Sequence, residues 1–459
     1  MTQSANKVPR TPARPGRGAL QAAPSPAAAW TAPLLVLLLT AALAPALTLD
    51  HAVVMALRNN RDLRAASYEV DKARGRLLQA GLWPNPALEL SHATDRTFHN
   101  EGERATTAGF QQAFPIAGRL AFAKRVSRVE VAQAMAEIRN RERLLIGEVQ
   151  RDFLTVLLHR QQIAANRELV GANRDFADVL RARFERAEVS EVDVSLARAE
   201  QQRLAVELAV LEGDLVAREL ALKLRLGLAP EDPIAPQGNL EVLLTRFAPE
   251  RYSTTMVVNR PDLRQTELGI DRAAAEVRLA KAEAWEDWTL GVEYEQERGV
   301  DEPRGLTTDK FLAFKVSIPV ALWNRNQGKL YEHRAAAEQA HAQFEAQRLA
   351  IRSEIATAMA RARSLRSAVG KYGSDVAPAL AESNNLVRRG YSEGLIPPAQ
   401  VIQVQQQQAS LRTAFLSATA TYLQALVDLE TATASSPHLK KDFLESRTTE
   451  TRRRSTYRK

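Results

Sequence analysis

The sequence contains no cysteine. This absence excludes disulfide bonds, thiolate catalysis, cysteine-based metal sites and a lipid-modified N-terminal cysteine. An oxidising compartment stays possible, because a chain of 459 residues can build a large core without disulfides. Functions that depend on cysteine chemistry are therefore excluded.

Long apolar runs are also scarce, and the strongest lies near the N-terminus. A basic region is followed by the apolar segment from Leu34 to Leu39 and by the small-x-small pattern Ala44-Pro45-Ala46. This order predicts a secretory signal peptide over residues 1–46. The alternative is a single transmembrane anchor. The short apolar segment disfavours it, since a helical span needs ~20 apolar residues.

Acidic residues are missing from the first 46 positions, which hold four basic residues. The last 23 positions hold eight basic and three acidic residues. Of the formal charge of +8, the two ends thus carry +9 and the body carries −1. A nucleic-acid partner is not expected, because such proteins concentrate basic charge on the folded body. Residues 436–459 are predicted to be a basic, disordered tail.

The chain contains an internal repeat. Four similarities occur in the same order in both halves, at offsets of 200 to 210 residues. They pair Asp62 with Asp262, Pro115 with Pro319, Gly118 with Gly328, and the segment from Phe184 to Val194 with the segment from Tyr391 to Val401. We therefore predict a first repeat at 47–245 and a second at 246–435.

Each predicted repeat has the same order of elements. A first helix covers Leu49 to Gln79 in one repeat and Asp262 to Glu283 in the other. The remaining predicted elements are β-hairpins at 85–115 and 287–319 with polar loops from Thr94 to Thr107 and from Arg298 to Asp309, helical hairpins at 119–226 and 329–433, and a linker at 227–245.

The predicted strands alternate in polarity. Leu312, Phe314, Val316 and Ile318 recur at period two, and each strand has ~10 residues, the length of a membrane-spanning strand. A soluble two-stranded ribbon is the alternative. Four strands are too few to close a barrel, so edge strands need partners. A trimer would supply twelve strands.

The predicted helices are very long. No proline occurs between Arg119 and Arg186, a length of roughly 100 Å as a helix. Leu204, Leu208 and Leu211 follow coiled-coil spacing on the return helix. In the second repeat, Pro378 is predicted to kink the outward helix. A plain helical rod is the alternative to paired hairpins.

The predicted fold class is an α+β membrane protein that is mostly α. It has long antiparallel coiled-coil helical hairpins and four transmembrane β-strands per chain. As a trimer it completes a 12-stranded β-barrel and an α-helical tunnel. The strand-to-helix junctions, at 114–120 and 318–330, mark the change from one architecture to the other.

The chain resembles the outer membrane efflux protein family, the TolC-like channels of Gram-negative bacteria, over about Leu47 to Thr433. The resemblance lies in the duplication, the element order and the two helical-hairpin turns, with Ala187-Glu188 where the family usually has glycine. It implies an outer-membrane location and a helical tube that extends into the periplasm. The turns it implies as adaptor-contacting tips are Ala187, Glu188, Val189 and Ser190 in the first hairpin and Gly394, Leu395 and Ile396 in the second.

Residues 318–328, with the sequence IPVALWNRNQG, are most similar to the heavy-metal branch of the family, the CzcC-like proteins. This resemblance implies a homotrimer in contact with outer-membrane lipid. It also implies two protein partners, a periplasmic adaptor (membrane fusion protein) and a proton-driven inner-membrane RND pump. The implied cargo is a heavy-metal cation.

No catalytic residues, cofactor site or metal site are predicted. The seven histidines are scattered, and none has a partner at the i, i+4 spacing of a helical metal site. His92 and His99 flank an external loop and are interpreted as solvated. A conduit for ions is expected to bind its cargo weakly or not at all. The family resemblance places a pore constriction at Gln400 and Gln403.

Other functions stay open from the sequence. The same channel type could serve drugs or a secreted polypeptide. A different class is a secreted coiled-coil scaffold or adhesin without a pore, although the apolar strand face from Leu312 to Ile318 is unnecessary for a rod. An enzyme has no support from any motif.

Overall fold

The computed structural model describes residues 46–98, 102–246 and 260–439. The predicted signal peptide apart from Ala46, His99, and the predicted tail from residue 440 onward lie outside the described residues. The described elements, in chain order, are β1 (Ala46–Leu47), α1 (Leu49–Asn59), α2 (Arg61–Gln79), β2 (Ala87–Thr94), β3 (Arg104–Phe114), α3 (Arg119–Phe184), α4 (Glu191–Leu226), β4 (Ala235–Pro236), α5 (Leu240–Leu244), α6 (Pro261–Ala282), β5 (Trp288–Asp301), β6 (Gly305–Ser317), α7 (Gln327–Lys371), a π-helical segment (Tyr372–Val376), α8 (Ala377–Ser392) and α9 (Pro398–Thr433).

Four strands form one antiparallel sheet in the order β2-β3-β5-β6. Each repeat contributes one hairpin, and the two hairpins join where β3 pairs with β5. The outer strands β2 and β6 are both edges, so each leaves one row of backbone groups without a partner in the sheet. Four strands from one chain therefore make an open sheet, as the sequence predicted.

The polar loop predicted from Arg298 to Asp309 is wrong. Strand pairing continues along both segments to the pair Asp301 and Gly305, and only residues 302–304 connect them. Gly305 lies in the left-handed region with φ +77°, which favours glycine at this tight connection. Backbone hydrogen bonds between the strands outweigh the polar composition of the segment.

Two long helical hairpins account for most of the chain. α3 has 66 residues and is followed, after a six-residue turn at 185–190, by α4. In the second half, α7, the π-helical segment and α8 together form the outward arm, and α9 returns. The predicted turn from Gly390 is wrong at its start, because α8 continues to Ser392. No helix within the described ranges is long and apolar enough to cross a bilayer.

The first predicted helix is broken in two at Asn60. The Asn60 side chain accepts a hydrogen bond from the backbone N–H of Leu63 at 2.8 Å and donates one to the backbone carbonyl of Arg225 at 3.0 Å. Its ψ of 123° is extended, so the residue caps α2 rather than continuing α1. Thr48 caps α1 and Pro261 begins α6, both as predicted.

The two strand-to-helix junctions differ in length. Four residues (115–118) separate β3 from α3, whereas nine residues (318–326) separate β6 from α7. Helix starts at Arg119 and Gln327 are 208 residues apart, so the second junction has four extra residues after its proline. Pairing Pro115 with Pro319 and Gly118 with Gly328 in the sequence implied six. Gly118 and Asn326 both precede their helices in the left-handed region, which identifies them as the equivalent positions.

The linker predicted to have little regular structure contains two short elements. Residues 235–236 (β4) pair in parallel with residues 46–47 (β1), and the short helix α5 follows. Leu240 of α5 is fully buried in the main core together with Phe153, Leu157 and Leu423. This core forms a belt where the short helices pack around α3, α4 and α9.

Candidate functional site

The two helical hairpins end in tips with the same backbone geometry. In the first, the N–H of Glu188 bonds the carbonyl of Arg183 at 3.0 Å, and Ala187 has φ +58°. In the second, the N–H of Leu395 bonds the carbonyl of Gly390 at 2.8 Å, and Gly394 has φ +72°. Equivalent residues of the two tips are 207 positions apart in the sequence. Both outward helices therefore end in the same left-handed cap.

The return helices start differently at the two tips. Ser190 forms a capping box, accepting from the N–H of Asp193 at 3.2 Å while its own N–H donates to the Asp193 carboxylate at 3.3 Å. The second return helix has Pro398 at its first position, where a missing N–H has no cost. Both the capping box and the proline fix the backbone at the start of the return helix.

Aromatic and apolar contacts join the two tips. The Tyr391 ring packs edge-on against Phe176 at 5.3 Å between centroids, and the Arg183 guanidinium lies 5.1 Å from the centre of the same ring. Ile402 of α9 is buried with Leu180. Sequence analysis did not predict these contacts. The repeat gave no signal for this contact, because the aromatic residue equivalent to Tyr391 is Phe184, whereas Tyr391 packs against Phe176.

The predicted tip residues lie at the ends of the hairpins. Those exposed in the single chain are Ala187, Glu188, Ser190, Gly394 and Leu395. The other two are partly covered: Val189 packs against the buried cluster at the tips, and Ile396 lies against Gly390, where an added Cβ would be 2.6 Å from its Cδ1. Four side chains and the backbone of Gly394 are therefore presented outward, and the other two side chains support the turns.

Gln400 and Gln403 lie on the first turns of α9 and are exposed in the single chain. Farther along α9, Gln405 Oε1 and Gln408 Nε2 are inaccessible to water and have no hydrogen-bond partner. A cavity of about 270 Å³ lies between α3, α8 and α9. Its lining includes Asn166, Leu169, Asn384, Arg388, Gln405 and Gln408. The two arms of the second hairpin are thus loosely packed just beyond the predicted constriction.

One face of the four-stranded sheet is apolar and exposed. The strand register places Leu88, Phe110, Val292 and Phe314 in one row across all four strands. Leu90, Tyr294 and Leu312 belong to the next row. Such a surface is too large and continuous for contact with water alone.

The opposite face of the sheet is rich in carboxylates. The acidic residues on this face are Glu89, Glu293, Glu295, Glu297 and Asp309. Lys315 pairs with Glu293, and the Gln111 amide donates to Glu89. Gly109 and Gly291 lie between these side chains and leave space on the face. The face therefore carries net negative charge.

Metal-binding side chains are dispersed. Across residues 46–98, 102–246 and 260–439, no group of three or more His, Asp or Glu side chains is placed to hold a metal ion. His92 is exposed on β2, and its Nδ1 lies 2.9 Å from Thr106 Oγ1.

A charge cluster around the buried Arg260 joins α6, α7 and α9 within the second repeat. Arg260 donates to the Asp262 carboxylate at 2.6 and 2.9 Å, to Glu354 at 2.6 Å and to the Ala432 carbonyl at 2.9 Å. Burial raises the pKa of Asp262, but hydrogen bonds from Arg260 and the charges of Arg260 and Arg143 outweigh it, so the net pKa is lowered.

Comparisons with known proteins agree with this geometry. The sequence profile described as "Outer membrane efflux protein" matches residues 52–228 and 254–435. Cobalt-zinc-cadmium resistance protein CzcC of Cupriavidus metallidurans is 25% identical over 391 residues, which cover 84% of this chain and 89% of the relative. Cation efflux system protein CusC of Escherichia coli is 23% identical over 73% of this chain and 76% of the relative.

Solved structures share the fold. A crystal structure of CusC superposes with a TM-score of 0.70 at 20% identity, covering 84% of this chain and 91% of that chain. The outer membrane protein VceC of Vibrio cholerae superposes with a TM-score of 0.65 at 17% identity, covering 84% and 95% of the two chains. The described architecture is therefore the fold that these outer-membrane proteins share.

Proposed function

Because the chain belongs to the outer membrane efflux protein family, we propose that three copies form an outer-membrane channel. This channel is the exit duct of a tripartite, proton-driven efflux system that exports heavy-metal cations. The observation that carries the proposal is the open four-stranded sheet with one exposed apolar face and one acidic face. In a barrel of three such sheets, the apolar face contacts lipid and the acidic face lines the lumen.

The sheet edges support closure by neighbouring copies. An exposed strand edge pairs readily with another chain, and closure into a barrel removes all edges. Pairing β6 of one copy with β2 of the next would give twelve strands from three copies of this four-stranded sheet. A ring built from head-to-tail contacts closes without leaving an unpaired copy.

The helices carry matching surfaces for the same ring. α4 has a second seam with a 3.5-residue repeat on the side away from α3, and all of its members are exposed in the single chain. We name this the α4 outer seam, and its members are Val192, Leu196, Ala199, Arg203, Val206, Val210, Gly213, Ala217, Leu220 and Leu224.

α7 carries an exposed seam with the same repeat but smaller side chains. We name this the α7 outer seam, and its members are Ala335, Gln339, Ala342, Ala346, Leu349, Ser353, Ala356 and Ala360. Valine and leucine on one helix complement alanine and serine on the other, as knobs fit holes. We propose that the two seams meet between neighbouring copies and close the helical tube.

The cargo is proposed from charge and from the relatives. The acidic sheet face would give the lumen a negative potential, which raises the local concentration of cations. CzcC is a cobalt-zinc-cadmium resistance protein, and CusC is a cation efflux system protein. Without a tight metal site in the described residues, cations would pass through the lumen and not be retained.

The hairpin tips are proposed as the docking and closing end of the tube. Ala187 to Ser190 and Gly394 to Ile396 would contact the periplasmic adaptor, which in turn engages the inner-membrane RND pump. Gln400 and Gln403, exposed beside the second tip, would line the constriction. Neutral amides there would form a polar ring that attracts cations less than carboxylates do.

Four measurements test the proposal. The full-length protein should fractionate with the outer membrane, and after purification in detergent it should have the mass of a trimer and form conducting pores in planar bilayers. A deletion strain should lose resistance to zinc, cobalt or cadmium and keep its resistance to detergents and dyes. The opposite pattern of sensitivity would assign drugs as cargo, and a monomer in the soluble fraction would refute the channel.

A further inference from the structure

The second strand-to-helix junction exposes more apolar surface than a connection in water should. Residues 318–326 are five residues longer than the equivalent connection at 115–118. Within them, Val320 is 68% exposed, Leu322 57% and Trp323 86%. An exposed large apolar side chain forgoes the favourable free energy of burial. Three such side chains in one short connection indicate a partner surface.

The apolar pattern of β6 continues into this connection. Leu312, Phe314 and Val316 lie on the apolar face of the sheet, and the same period-two spacing leads on to Ile318, Val320 and Leu322. Strand pairing ends at Ser317, yet the alternation of apolar residues does not. The connection therefore extends the apolar band of the sheet toward the helical end of the molecule.

Tryptophan is concentrated at this level. The sequence has five tryptophans, and the four that the structure describes all lie near the junctions and are exposed. They are Trp83, Trp285, Trp288 and Trp323. Trp83 packs edge-on against Phe114, the last residue of β3, which is paired with Trp288. Tryptophan is enriched at the interface between lipid headgroups and acyl chains, because its ring is apolar and its N–H is polar.

The connection is held in place by its own hydrogen bonds. The Asn326 side chain donates to the Ala280 carbonyl at 2.8 Å, and the Gln327 side chain donates to the Trp323 carbonyl at 3.1 Å. The N–H of Arg325 bonds Gln327 Oε1 at 2.8 Å. The exposed position of Trp323 is thus built into an ordered turn, which reduces the entropy lost on insertion.

We propose that Val320, Leu322 and Trp323 form an interfacial anchor in the periplasm-facing leaflet of the outer membrane. The proposal rests on the proposed function, since it requires the apolar sheet face to contact lipid. A bilayer is favoured over a neighbouring copy as the occupant, because the anchor continues the lipid-facing rows and carries the interfacial residue tryptophan.

The test uses single-tryptophan variants of the full-length protein in phosphatidylcholine vesicles. The first variant keeps only Trp323 and carries W30F, W83F, W285F and W288F. The matched control keeps only Trp288 and carries W323F in place of W288F. Phenylalanine preserves apolar character, and detergent mass analysis verifies that each variant keeps the oligomeric state of the unmodified protein. Nitroxide-labelled lipids with the label near the headgroup or near the acyl-chain end report the depth of each ring.

We expect Trp323 emission to be lost mainly with the headgroup-proximal label, and Trp288 emission to be lost as well. If Trp288 is quenched and Trp323 is not, the anchor is refuted while the channel stands. Long-wavelength emission of an unquenched Trp323 would place it in water, and short-wavelength emission would place it against another copy. If neither tryptophan is quenched, the membrane-spanning sheet and hence the proposed function fail.

Discussion

At the scale of single residues, left-handed backbone positions recur in pairs across the two halves. Ala187 corresponds to Gly394 at the hairpin tips, and Gly227 corresponds to Ala434 at the ends of the return helices, each pair 207 residues apart. Gly227 has no room for a side chain, since a Cβ would lie 2.3 Å from the Asn59 carbonyl oxygen. In both pairs one copy keeps glycine and the other holds alanine in a conformation that costs roughly 1 kcal/mol.

Substitutions at Ala187 and Gly394 should change the local stability of the two tips in opposite directions. A187G should increase the local stability of the first tip by about 1 kcal/mol, because glycine adopts the left-handed region without strain. G394A should destabilise the second tip by a similar amount. Hydrogen exchange of the Glu188 and Leu395 amides, which close the two caps, measures both effects. Faster exchange at Glu188 in A187G would contradict the strain assigned to Ala187.

The proposed constriction predicts a change in conductance. Replacing Gln400 and Gln403 with alanine removes the polar side chains that would narrow the tube, so single-channel conductance in planar bilayers should rise. The matched control is Q343A, which changes an exposed glutamine in α7 away from the hairpin tips and should leave conductance unchanged. Equal conductance of the Q400A/Q403A variant and the unmodified channel would remove these residues from the gate.

The Arg260–Asp262 pair predicts sensitivity to acid. Because the net pKa of Asp262 in the folded protein is lowered, its contribution to stability is complete above the unfolded pKa of about 4 and is lost as pH falls through the folded pKa. D262N should therefore lower the free energy of unfolding at pH 7 by about 3 kcal/mol and the melting temperature with it. The melting temperature of D262N should also fall less steeply in acid than that of the unmodified protein.

The control for this pair is E267Q. Glu267 pairs with Arg264 on the surface, where both side chains are about half exposed, and such pairs contribute little to stability. Melting temperatures measured between pH 7 and pH 3 should be nearly unchanged in E267Q. If the melting temperature of D262N falls with pH as steeply as that of the unmodified protein, a group other than Asp262 is responsible for the acid sensitivity.

At the scale of elements, the outward arm of the second hairpin is interrupted just before its proline. Residues 372–376 form a π-helical segment, and Pro378 follows at the start of α8. In an α-helix the proline ring would collide with the carbonyl of residue 374, and the wider π turn avoids this collision. Tyr372 stacks on Phe415 of α9 at 4.0 Å between ring centroids, which fixes the bulge against the return helix.

Removing the proline should restore a regular helix. P378A supplies an N–H and removes the ring, so the segment from residue 372 to residue 378 should become α-helical, with a local gain of up to about 3 kcal/mol. Amide exchange of these residues should slow. P398A is the control, because that proline occupies the first position of α9, where it is tolerated. Unchanged exchange in P378A would show that packing with Phe415 sets the bulge.

At the scale of the whole molecule, the proposed assembly depends on surfaces that one chain leaves exposed. Its sheet has two open edges, and the α4 and α7 outer seams have no partner within the described residues. Apolar seams with a 3.5-residue repeat are stable only against another helix. Assembly should therefore depend on seam residues that contribute nothing to the fold of one chain.

Charges in the α4 outer seam should prevent assembly. V206D together with V210D would bury two carboxylates in the proposed contact, a cost of several kcal/mol, and should convert the trimer to monomer in detergent. The control A205D with A209D places the same charges on exposed positions beside the seam. Native mass measurement separates the two. A V206D/V210D protein that stays trimeric would refute the proposed pairing of seams.

The sequence by itself determined the repeat, the strand pairs, the long helical hairpins and the position of both tips. These features depend on periodicity and on local breakers, which are properties of neighbouring residues. Period-two alternation located the apolar sheet face, and proline-free stretches located the long helices. Pro378 indicated an interruption of the second outward helix, although not that it would take a π-helical form.

Only the tertiary structure decided the features that depend on distant partners. Asn60 ends α1 because it bonds Arg225, 165 positions away. Arg298 joins β5 despite the polar composition of its segment, because it pairs with Arg104 of β3, 194 positions away, as well as with Thr308 of β6. In each case the free energy of long-range contacts exceeds a local preference of about 1 kcal/mol, and no window of neighbouring residues contains that information.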